Sequence, residues 1–261
     1  MLGFSLGLNG RRKLGGLLPQ TVALFARAAA EGFDLPSDAC KEAINYDISQ
    51  QISSGIWAEA NTVFYHANDS GSINFGRINA AAPLSDLGTV HGSLSFVNKS
   101  GIKGNGTDAY FDTQFAPDSD VSRYIMNSAH VFIYKYANGS GRLTGTVTGI
   151  ASVLMVETDS KVQRLNSVNN LGSSVDFRVI GTVGMNRVDG SNVDIMINGT
   201  QTSQANTATD LPVGNIVFLR QGPNYGNSGI SIVRIGSGLT STQEALINTL
   251  DAAYMVKMAA L

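Results

Sequence analysis

The sequence predicts a mainly β protein, an antiparallel sandwich with a helical segment before its strands and one helix after them. Turn-forming Gly, Asn, Ser and Thr are abundant, with 29 glycines in 261 residues, as is typical of many strands joined by turns. Apolar and polar residues alternate most clearly over residues 175–204, whereas apolar residues at intervals of three and four occur near the two ends. These patterns predict a β core with helices at both termini.

Composition and charge exclude several classes of function. Charged residues make up 15% of the chain and the formal net charge is -2, so no basic surface is predicted for nucleic acid or an anionic membrane. No stretch approaches the roughly 18 apolar residues of a membrane span, and the first 18 residues lack the apolar run of a secretory signal. Cys40 is alone, which excludes an intrachain disulfide and a metal site of several thiolates; we expect it to be a small buried side chain.

The first 18 residues form an arm for which two interpretations stay open. It is either a flexible tag or an anchor that docks on a partner protein, since its apolar side chains would be poorly placed in water. The candidate anchoring residues are Leu2, Phe4, Leu6, Leu8, Arg11, Arg12 and Lys13.

Residues 19–65 are predicted to form three short amphipathic helices. The first starts at Pro19 and ends at Gly32, and the second has Ser37 as its N-cap. The third carries the only tryptophan, Trp57, for which a core position is favoured over an exposed sugar platform. Helices this short need a partner surface, so we expect them to pack on the sandwich or on each other. The apolar stripe of the third helix comprises Ile56, Trp57, Ala60, Val63 and Phe64.

The central part of the chain is predicted to form a series of strands separated by turns. Residues 66–106 are turn-rich, and a strand with alternating apolar positions ends at Pro117. Two later runs, HVFIYKY and IASVLMV, are apolar on both faces, which is typical of strands covered on both sides. The predicted strands after residue 106 lie at residues 109–115, 130–136, 150–156, 215–219 and 229–235.

The centre of the predicted sheet is the stretch Val175–Gln204, which contains two alternating runs. Each run has one apolar face because successive side chains of a strand point to opposite sides. Asp189-Gly190 joins the runs and Asn198-Gly199 follows the second; both pairs tolerate the positive φ of tight hairpin turns. The core-facing residues are Val175, Phe177, Val179, Val183 and Met185 in the first run, and Val193, Ile195 and Ile197 in the second.

The last helix is predicted to start at Ser241, an N-cap with Glu244 three residues later in a capping box. Its buried stripe is predicted to comprise Leu246, Ile247, Leu250, Ala253 and Tyr254. The predicted organisation has three parts: an arm over residues 1–18, a helical segment over residues 19–65, and a β-sandwich over residues 66–261 closed by the helix at 241–258.

Four motifs occur in an order that resembles a known family. They are NGTDAYFDT, HVFIYKY, VDGSNVDIMINGTQTSQ and GNSGISIVRIGSGLTSTQEALINTL. Together with the preceding helical step GIWAEANTVFYH, they resemble the concanavalin A-like (laminin G-like) domains of bacteriophage virion proteins over roughly residues 20–255. The sequence departs from that pattern at residues 254–258, and the resemblance does not give a role to the basic arm.

The resemblance implies a jelly-roll sandwich and a virion structural protein displayed on head or tail parts or joining them. Its function would then lie in interfaces with other virion proteins, and homo-oligomerisation is expected because positions on a virion are repeated by symmetry. The same fold also serves lectins and glycosidases, so the choice among these functions depends on particular residues.

The sequence contains no arrangement typical of a glycosidase or a serine hydrolase. Its glutamates are scattered, no E-x-D-x-x-E run places carboxylates on one strand face, and no G-x-S-x-G elbow is present. Asp108 and Asp112 share a face, but loop capping is favoured for them over calcium binding or catalysis. The three histidines are too far apart for metal-ligand spacing. We therefore expect no enzymatic activity, no metal and no cofactor.

One loop, RQGPNYGNSG, has the residue types of a sugar site. A tyrosine can stack on a pyranose face while amides and a guanidinium bind hydroxyl groups. A long hairpin loop with its tyrosine folded back is the other interpretation of the same residues. If the loop is a site, the alternative function is host attachment through a surface glycan. The candidate ligand-binding residues are Arg220, Gln221, Asn224, Tyr225 and Asn227.

Overall fold

A computed structural model gives the architecture of the protein and describes residues 16–82, 87–119, 122–147, 152–157, 162–172 and 174–261. The anchoring residues of the predicted arm, Leu2 to Lys13, lie outside these ranges. The described helices are α1 (Pro19–Ala30), α2 (Asp38–Ser53), α3 (Ile56–Glu59) and α4 (Ser241–Ala259). The described strands are β1 (Ala60–Tyr65), β2 (Thr89–His91), β3 (Ser95–Val97), β4 (Gly101–Lys103), β5 (Tyr110–Asp112), β6 (Ala129–Ala137), β7 (Arg142–Thr146), β8 (Val153–Val156), β9 (Arg164–Leu165), β10 (Gly181–Arg187), β11 (Asn192–Ile197), β12 (Thr200–Ala205), β13 (Ile216–Phe218), β14 (Arg220–Gln221), β15 (Asn224–Tyr225) and β16 (Gly229–Gly236).

These strands form two sheets and a small ribbon. The first sheet has the order β12-β11-β10-β6-β16-β4-β3, with β1 paired to the remaining edge of β16. The second sheet has the order β2-β5-β13-β7-β8-β9, and β14 pairs with β15 in the ribbon. The pairings between these strands are antiparallel. A mainly β, antiparallel architecture with helices at both ends confirms the fold class predicted from the sequence.

The main hydrophobic core lies between the two sheets. Ile133 of β6 and Val233 of β16 come from the first sheet, and Phe111 of β5 and Phe218 of β13 come from the second. All four side chains are fully buried. Burying a large apolar side chain contributes about 1.5–3 kcal/mol, so this interface is the main source of stability for the sandwich.

Helices cover the outer face of the first sheet, which is therefore buried on both sides. Phe25 of α1 and Ile44 of α2 form a cluster with Ile232 of β16. Ile247 of α4 forms another cluster with Phe132 of β6. This double burial explains why the run HVFIYKY is apolar on both faces. Among the described helices, none has an apolar stretch of the length that crossing a bilayer requires.

The third predicted helix is wrong beyond its first turn. α3 ends at Glu59, and residues 60–65 form β1, which pairs with β16. The stretch is rich in β-branched and aromatic residues and almost wholly buried, so its apolar spacing cannot distinguish a helix from a strand covered on both sides. Pairing with the edge of β16 selects the strand. Trp57 is partly buried against the helical cluster, in keeping with the core position expected for it.

The hairpin at the centre of the first sheet is shorter than predicted. Its first strand, β10, begins at Gly181, and residues 176–180 lie outside any strand. Val175 and Phe177 nevertheless reach the main core. Alternation therefore predicts which side chains face inward, but hydrogen bonding to a neighbouring strand decides where the strand starts.

The two turns predicted for this hairpin differ in geometry. Asn198 and Gly199 have φ values of 49° and 82°, as a tight connection between β11 and β12 requires. Asp189-Gly190 has no positive φ. Instead, the Asp189 carboxylate accepts hydrogen bonds from the backbone N–H groups of Ser191 (2.6 Å) and Asn192 (2.8 Å). Because the loop between β10 and β11 is longer than two residues, a side-chain-capped turn replaces the tight turn.

The capping box of α4 lies one residue earlier than predicted. Thr240 is the N-cap and Gln243 completes the box. Glu244 instead turns inward and is fully buried, where Asn186 of β10 and Gln201 of β12 donate hydrogen bonds to its carboxylate. Both registers match the capping-box pattern, so only the docking of α4 on the first sheet distinguishes them.

Substitution of Glu244 by glutamine is expected to change how stability depends on pH. Burial raises the pKa of the Glu244 carboxyl from 4.5 to about 7, although hydrogen bonding from Asn186 opposes this shift. The folded state binds this proton more tightly than the unfolded chain, so the stabilisation is complete below about pH 4.5 and is lost as the pH rises through about 7. Urea unfolding gives the free energy of unfolding at each pH. Between about pH 5 and about pH 8, this free energy should fall by about 2 kcal/mol more in wild type than in E244Q.

The exposed Glu42 of α2 provides the control, since E42Q removes a carboxylate without changing a buried group. The buried His66 and His130 act in the opposite direction, because burial lowers the pKa of His66 to about 3 and that of His130 to about 4. Because E244Q keeps both histidines, the difference between wild type and E244Q gives the contribution of the Glu244 carboxyl alone to the pH dependence of stability. Parallel stability curves for wild type and E244Q would contradict the prediction.

A buried ionic network joins the helices to the first sheet. Arg234 of β16 lies 3.0 Å from the Asp47 carboxylate of α2 and 2.9 Å from the Asp251 carboxylate of α4. Tyr65 of β1 donates a 2.5 Å hydrogen bond to Asp47, and Thr182 of β10 donates one of 3.1 Å to Asp251. Because the network holds two carboxyl groups and one guanidinium, burial and the charge of Asp47 together raise the pKa of Asp251 to about 6 despite the opposing charge of Arg234.

Candidate functional site

A cavity of about 550 Å³ lies beside the β14–β15 hairpin. Its volume falls within the range of about 300–1,000 Å³ that is common for small-molecule sites. The wall combines the loop before β5, the start of β7, the end of β8 and the hairpin itself. The lining residues are Gly106, Thr107, Gly141, Arg142, Val156, Pro223, Asn224 and Tyr225.

Close backbone packing holds the hairpin against β7. A Cβ added to Gly141 would lie 2.2 Å from the carbonyl oxygen of Tyr225, and one added to Gly226 would lie 2.1 Å from that of Arg142. Only glycine allows two backbones to approach this closely, and Gly141 also has a φ of 92°. These two glycines therefore form a tight seam on one side of the cavity.

A stack of aromatic and cationic side chains supports Tyr225. The Arg220 guanidinium lies 4.5 Å from the centroid of the Tyr110 ring and 5.3 Å from that of Tyr225. His91 stacks on Tyr110 with a centroid distance of 4.3 Å, and Arg220 Nε donates a 2.8 Å hydrogen bond to the carbonyl of Gly222. Each cation–π contact contributes about 0.5–1 kcal/mol at an exposed site, and together these contacts hold the Tyr225 ring against Arg220.

The five residues predicted for ligand binding lie in the hairpin and its exit, in different positions. Asn224 and Tyr225 line the cavity. Arg220 takes part in the stack, and Gln221 pairs with Asn224 across the ribbon. The Asn227 side-chain oxygen accepts a 2.6 Å hydrogen bond from a backbone N–H in the loop before β7. The cavity therefore receives two of the predicted side chains directly, and the other three position the hairpin.

Arg142, the first residue of β7, lines the cavity but belongs to no pattern that the sequence reveals. Its side chain is partly buried, and it has no hydrogen bond or ion pair with any residue that the structure describes. Burial lowers the pKa of Arg142, and the nearby positive charge of Arg164 lowers it further. Arg142 and Tyr225 meet only through the packing of the hairpin on β7, so no local sequence signal could have linked them.

A buried ion pair next to the cavity wall joins the two sheets. Lys135 of β6 pairs with Glu157, which directly follows β8, and both side chains are fully buried. Lys135 also donates a 2.6 Å hydrogen bond to the backbone carbonyl of Phe177, and Ser228 donates one to the Glu157 carboxylate. The backbone N–H of Glu157 donates to the carbonyl of Gly141 at 3.0 Å. This part of the wall is thereby attached to both sheets.

The acidic side chains near the cavity have structural partners. Asp108 accepts a 2.5 Å hydrogen bond from Asn105. Asp112 accepts hydrogen bonds from the backbone N–H of Gln114 (2.8 Å) and from Asn215 (3.0 Å). Asp112 thus has the loop-capping role that the sequence favoured. In the loop before β5, by contrast, the side chain of Asn105 accepts the hydrogen bonds from the backbone N–H groups, including that of Asp108. Across the described ranges, no three histidine, cysteine or carboxylate side chains are grouped closely enough to hold a metal ion.

Comparison with known proteins gives matches in fold but not in sequence. No protein-family model and no curated protein matches the chain. The receptor binding domain of botulinum neurotoxin C/D mosaic serotype matches with a TM-score of 0.50 and 11% identity, over 74% of this chain and 51% of that chain. A mutant of Trypanosoma rangeli sialidase displaying trans-sialidase activity matches with a TM-score of 0.50 and 11% identity, over 82% of this chain and 39% of that chain.

At 11% identity this likeness shows the fold alone, and the match covers about half or less of each of these two solved chains. It agrees with the two antiparallel sheets described above. The protein is an antiparallel β-sandwich with helices packed on the outer face of one sheet.

Proposed function

We propose that the protein is a glycan-binding module whose sugar lies in the cavity beside the β14–β15 hairpin. The observation that carries this proposal is the meeting of Tyr225, Asn224 and Arg142 on one cavity of about 550 Å³. Sugar sites combine such groups, because an aromatic ring stacks on the apolar face of a pyranose while polar groups bind its hydroxyls. A receptor binding domain and a sialidase of similar fold support this direction at the level of fold only.

The organisation of the wall also supports binding. Tyr225 is held by the Arg220 stack, and its backbone packs against Gly141. The pair of Lys135 and Glu157 attaches the neighbouring wall to both sheets. A site held in place before the ligand arrives loses less conformational entropy on binding, so these contacts favour affinity for a small ligand.

Tyr225→Ala is expected to weaken the binding of a glycan identified on an array by about 10-fold, because the stacking face is lost. Tyr225→Phe keeps the ring and should bind within about threefold of wild type. Tyr46→Ala is the control, since Tyr46 is exposed on α2, in the helical layer. Isothermal titration calorimetry with the purified chain gives the Kd values.

Two results would contradict the proposal: an array on which no glycan is bound, and a Y225A variant whose Kd equals that of wild type. Because Y225A also removes one ring partner of Arg220, its Tm is measured beside its Kd. Weaker binding by Y225A with binding preserved in Y225F assigns the effect to the ring rather than to a loss of fold.

The sequence resemblance suggests a setting for this activity. On a bacteriophage particle, a glycan-binding module would serve host attachment, with copies repeated by the symmetry of the particle. The virion location, the contacts with other virion proteins and homo-oligomerisation stay predictions. Mass spectrometry of purified particles, with a copy number for the chain, tests them, and particles that lack the chain would contradict them.

We propose binding without turnover. Asp108 and Glu157, which follow the lining residues Thr107 and Val156 in the chain, are engaged by Asn105 and Lys135 respectively. Glycosidases instead place two carboxyl groups on opposite sides of the bond they cleave. Incubation with a panel of polysaccharides should release no sugar, and measurable release would contradict this part of the proposal.

A further inference from the structure

We infer that the cavity selects an acidic saccharide, and that Arg142 binds its carboxylate while Tyr225 stacks on the sugar ring. The inference rests on the proposed glycan-binding function and names the class of glycan. Its basis is Arg142, a residue of the cavity wall whose side chain has no hydrogen bond or ion pair with any residue that the structure describes.

Arg142 differs from the other arginines of the described ranges. Each of the others has a carboxylate, an amide oxygen or a carbonyl oxygen as its partner. Arg234, for example, lies between two carboxylates, and Arg187 donates to the backbone oxygen of Leu165 at 2.8 Å. Arg142 has no such bond with a described residue. Among the residues that the structure describes, Arg142 is thus the arginine whose guanidinium is available to a ligand.

The surroundings of Arg142 favour an anion. Its side chain is partly removed from water, which is unfavourable for a charge without a partner. The charge of Arg164 adds positive potential there, and it contributes to the lowered pKa of Arg142. The carboxylate of Glu157 does not offset this potential, because Lys135 and Ser228 already bind it. An anionic ligand would supply the missing partner.

The geometry of the wall favours a carboxylate carried on a sugar ring. Arg142 is positioned by its place in β7, opposite Val156 of β8, and by the contact of its carbonyl with Gly226. A guanidinium is planar and can donate two parallel hydrogen bonds to one carboxylate. Tyr225 and Asn224 line the same cavity. Tyr225 would stack on the sugar ring, and Asn224 would bind its hydroxyl groups. A neutral sugar would leave the guanidinium with weaker hydroxyl partners.

The experiment measures calorimetric Kd values of wild type, R142M and R142K for four probes: 3′-sialyllactose, a disaccharide containing glucuronate, a sulfated lactose and lactose. We expect a carboxylate probe to bind wild type about 10-fold or more tightly than lactose does. R142M should lose this preference, because the carboxylate probe loses two charge-assisted hydrogen bonds whereas lactose loses only weaker hydroxyl contacts. R142K should fall between wild type and R142M because lysine keeps the charge without the planar fork. R27M on α1, which removes an arginine paired with Glu31, is the control and should keep the preference.

Four results would overturn the inference. Equal affinity of wild type for the carboxylate probes and lactose would do so, and so would a preference that survives in R142M. A sulfated probe that binds as tightly as the carboxylate probes would refute carboxylate selection. A fall in Tm of more than about 5 °C in R142M would show that Arg142 has a structural partner; we expect the Tm to be unchanged or raised.

Failure of this inference can be distinguished from failure of the proposed glycan-binding function. If array glycans bind and Y225A weakens them while R142M does not change the preference, the cavity is a glycan site without selection for acids. If no glycan binds in any assay, the proposed function and the inference are both wrong.

Discussion

Replacing Arg234 with methionine is expected to lower the free energy of unfolding by about 3–5 kcal/mol, because the variant leaves buried carboxyl groups without a cation. Arg234 is 1% exposed and lies within 3.0 Å of the carboxylates of both Asp47 and Asp251. Tyr65 and Gln51 would still donate to Asp47, but two neutral donors do not replace a charge. The loss would also remove the ionic link that joins α2 and α4 to β16.

Urea unfolding at about pH 8 measures this loss, and R178M is the matched control. Arg178 pairs with Asp176 where the two side chains are 49% and 43% exposed, so its removal should cost less than about 1 kcal/mol. The loss in R234M should shrink towards about pH 5, since carboxyl groups without a cation take up protons more readily. A loss of less than about 1 kcal/mol, or one that does not change with pH, would disprove the role of the network.

Replacing Lys135 with methionine is the second large effect that we expect, with a loss of about 3 kcal/mol. Among the described residues, the substitution leaves the Glu157 carboxylate inside the sandwich with only the Ser228 hydroxyl as a side-chain donor. It also removes the donor that satisfies the backbone carbonyl of Phe177 at 2.6 Å. That carbonyl belongs to a segment outside any strand, so no neighbouring strand replaces the lost bond.

A double-mutant cycle with Glu157→Gln separates the charge effect from the change in packing. K135M/E157Q contains no unpaired buried charge, so it should be more stable than K135M by about 1–2 kcal/mol. Urea unfolding of the wild type and the three variants gives the coupling energy. If K135M/E157Q is less stable than K135M by the full cost of E157Q alone, the two side chains do not interact and the assignment of this pair is wrong.

Short stretches of the sequence predict some residues of the candidate site but not all of them. The hairpin residues Asn224 and Tyr225 stand in a loop with glycine, proline and amides, which marks a turn with exposed polar groups. Arg142 stands in a similar turn-rich stretch, where nothing local gives it a role. The cavity exists because the seam formed by Gly141 and Gly226 brings these two stretches together. Asn224 and Tyr225 could therefore be predicted from the sequence, whereas the place of Arg142 in the site depended on tertiary packing.

The sequence by itself determined the fold class, the helices α1, α2 and α4, the turn at Asn198-Gly199 and the inward direction of Val175 and Phe177. These features follow from periodicity, capping and turn chemistry, which act over a few neighbouring residues. The tertiary structure decided the strand at residues 60–65, the register of the α4 cap and the partners of Arg234, Lys135 and Arg142. Each of these features depends on contacts between residues far apart in the chain. Strand pairing needs a partner strand, and a buried charge needs a partner group, and both come from distant parts of the sequence.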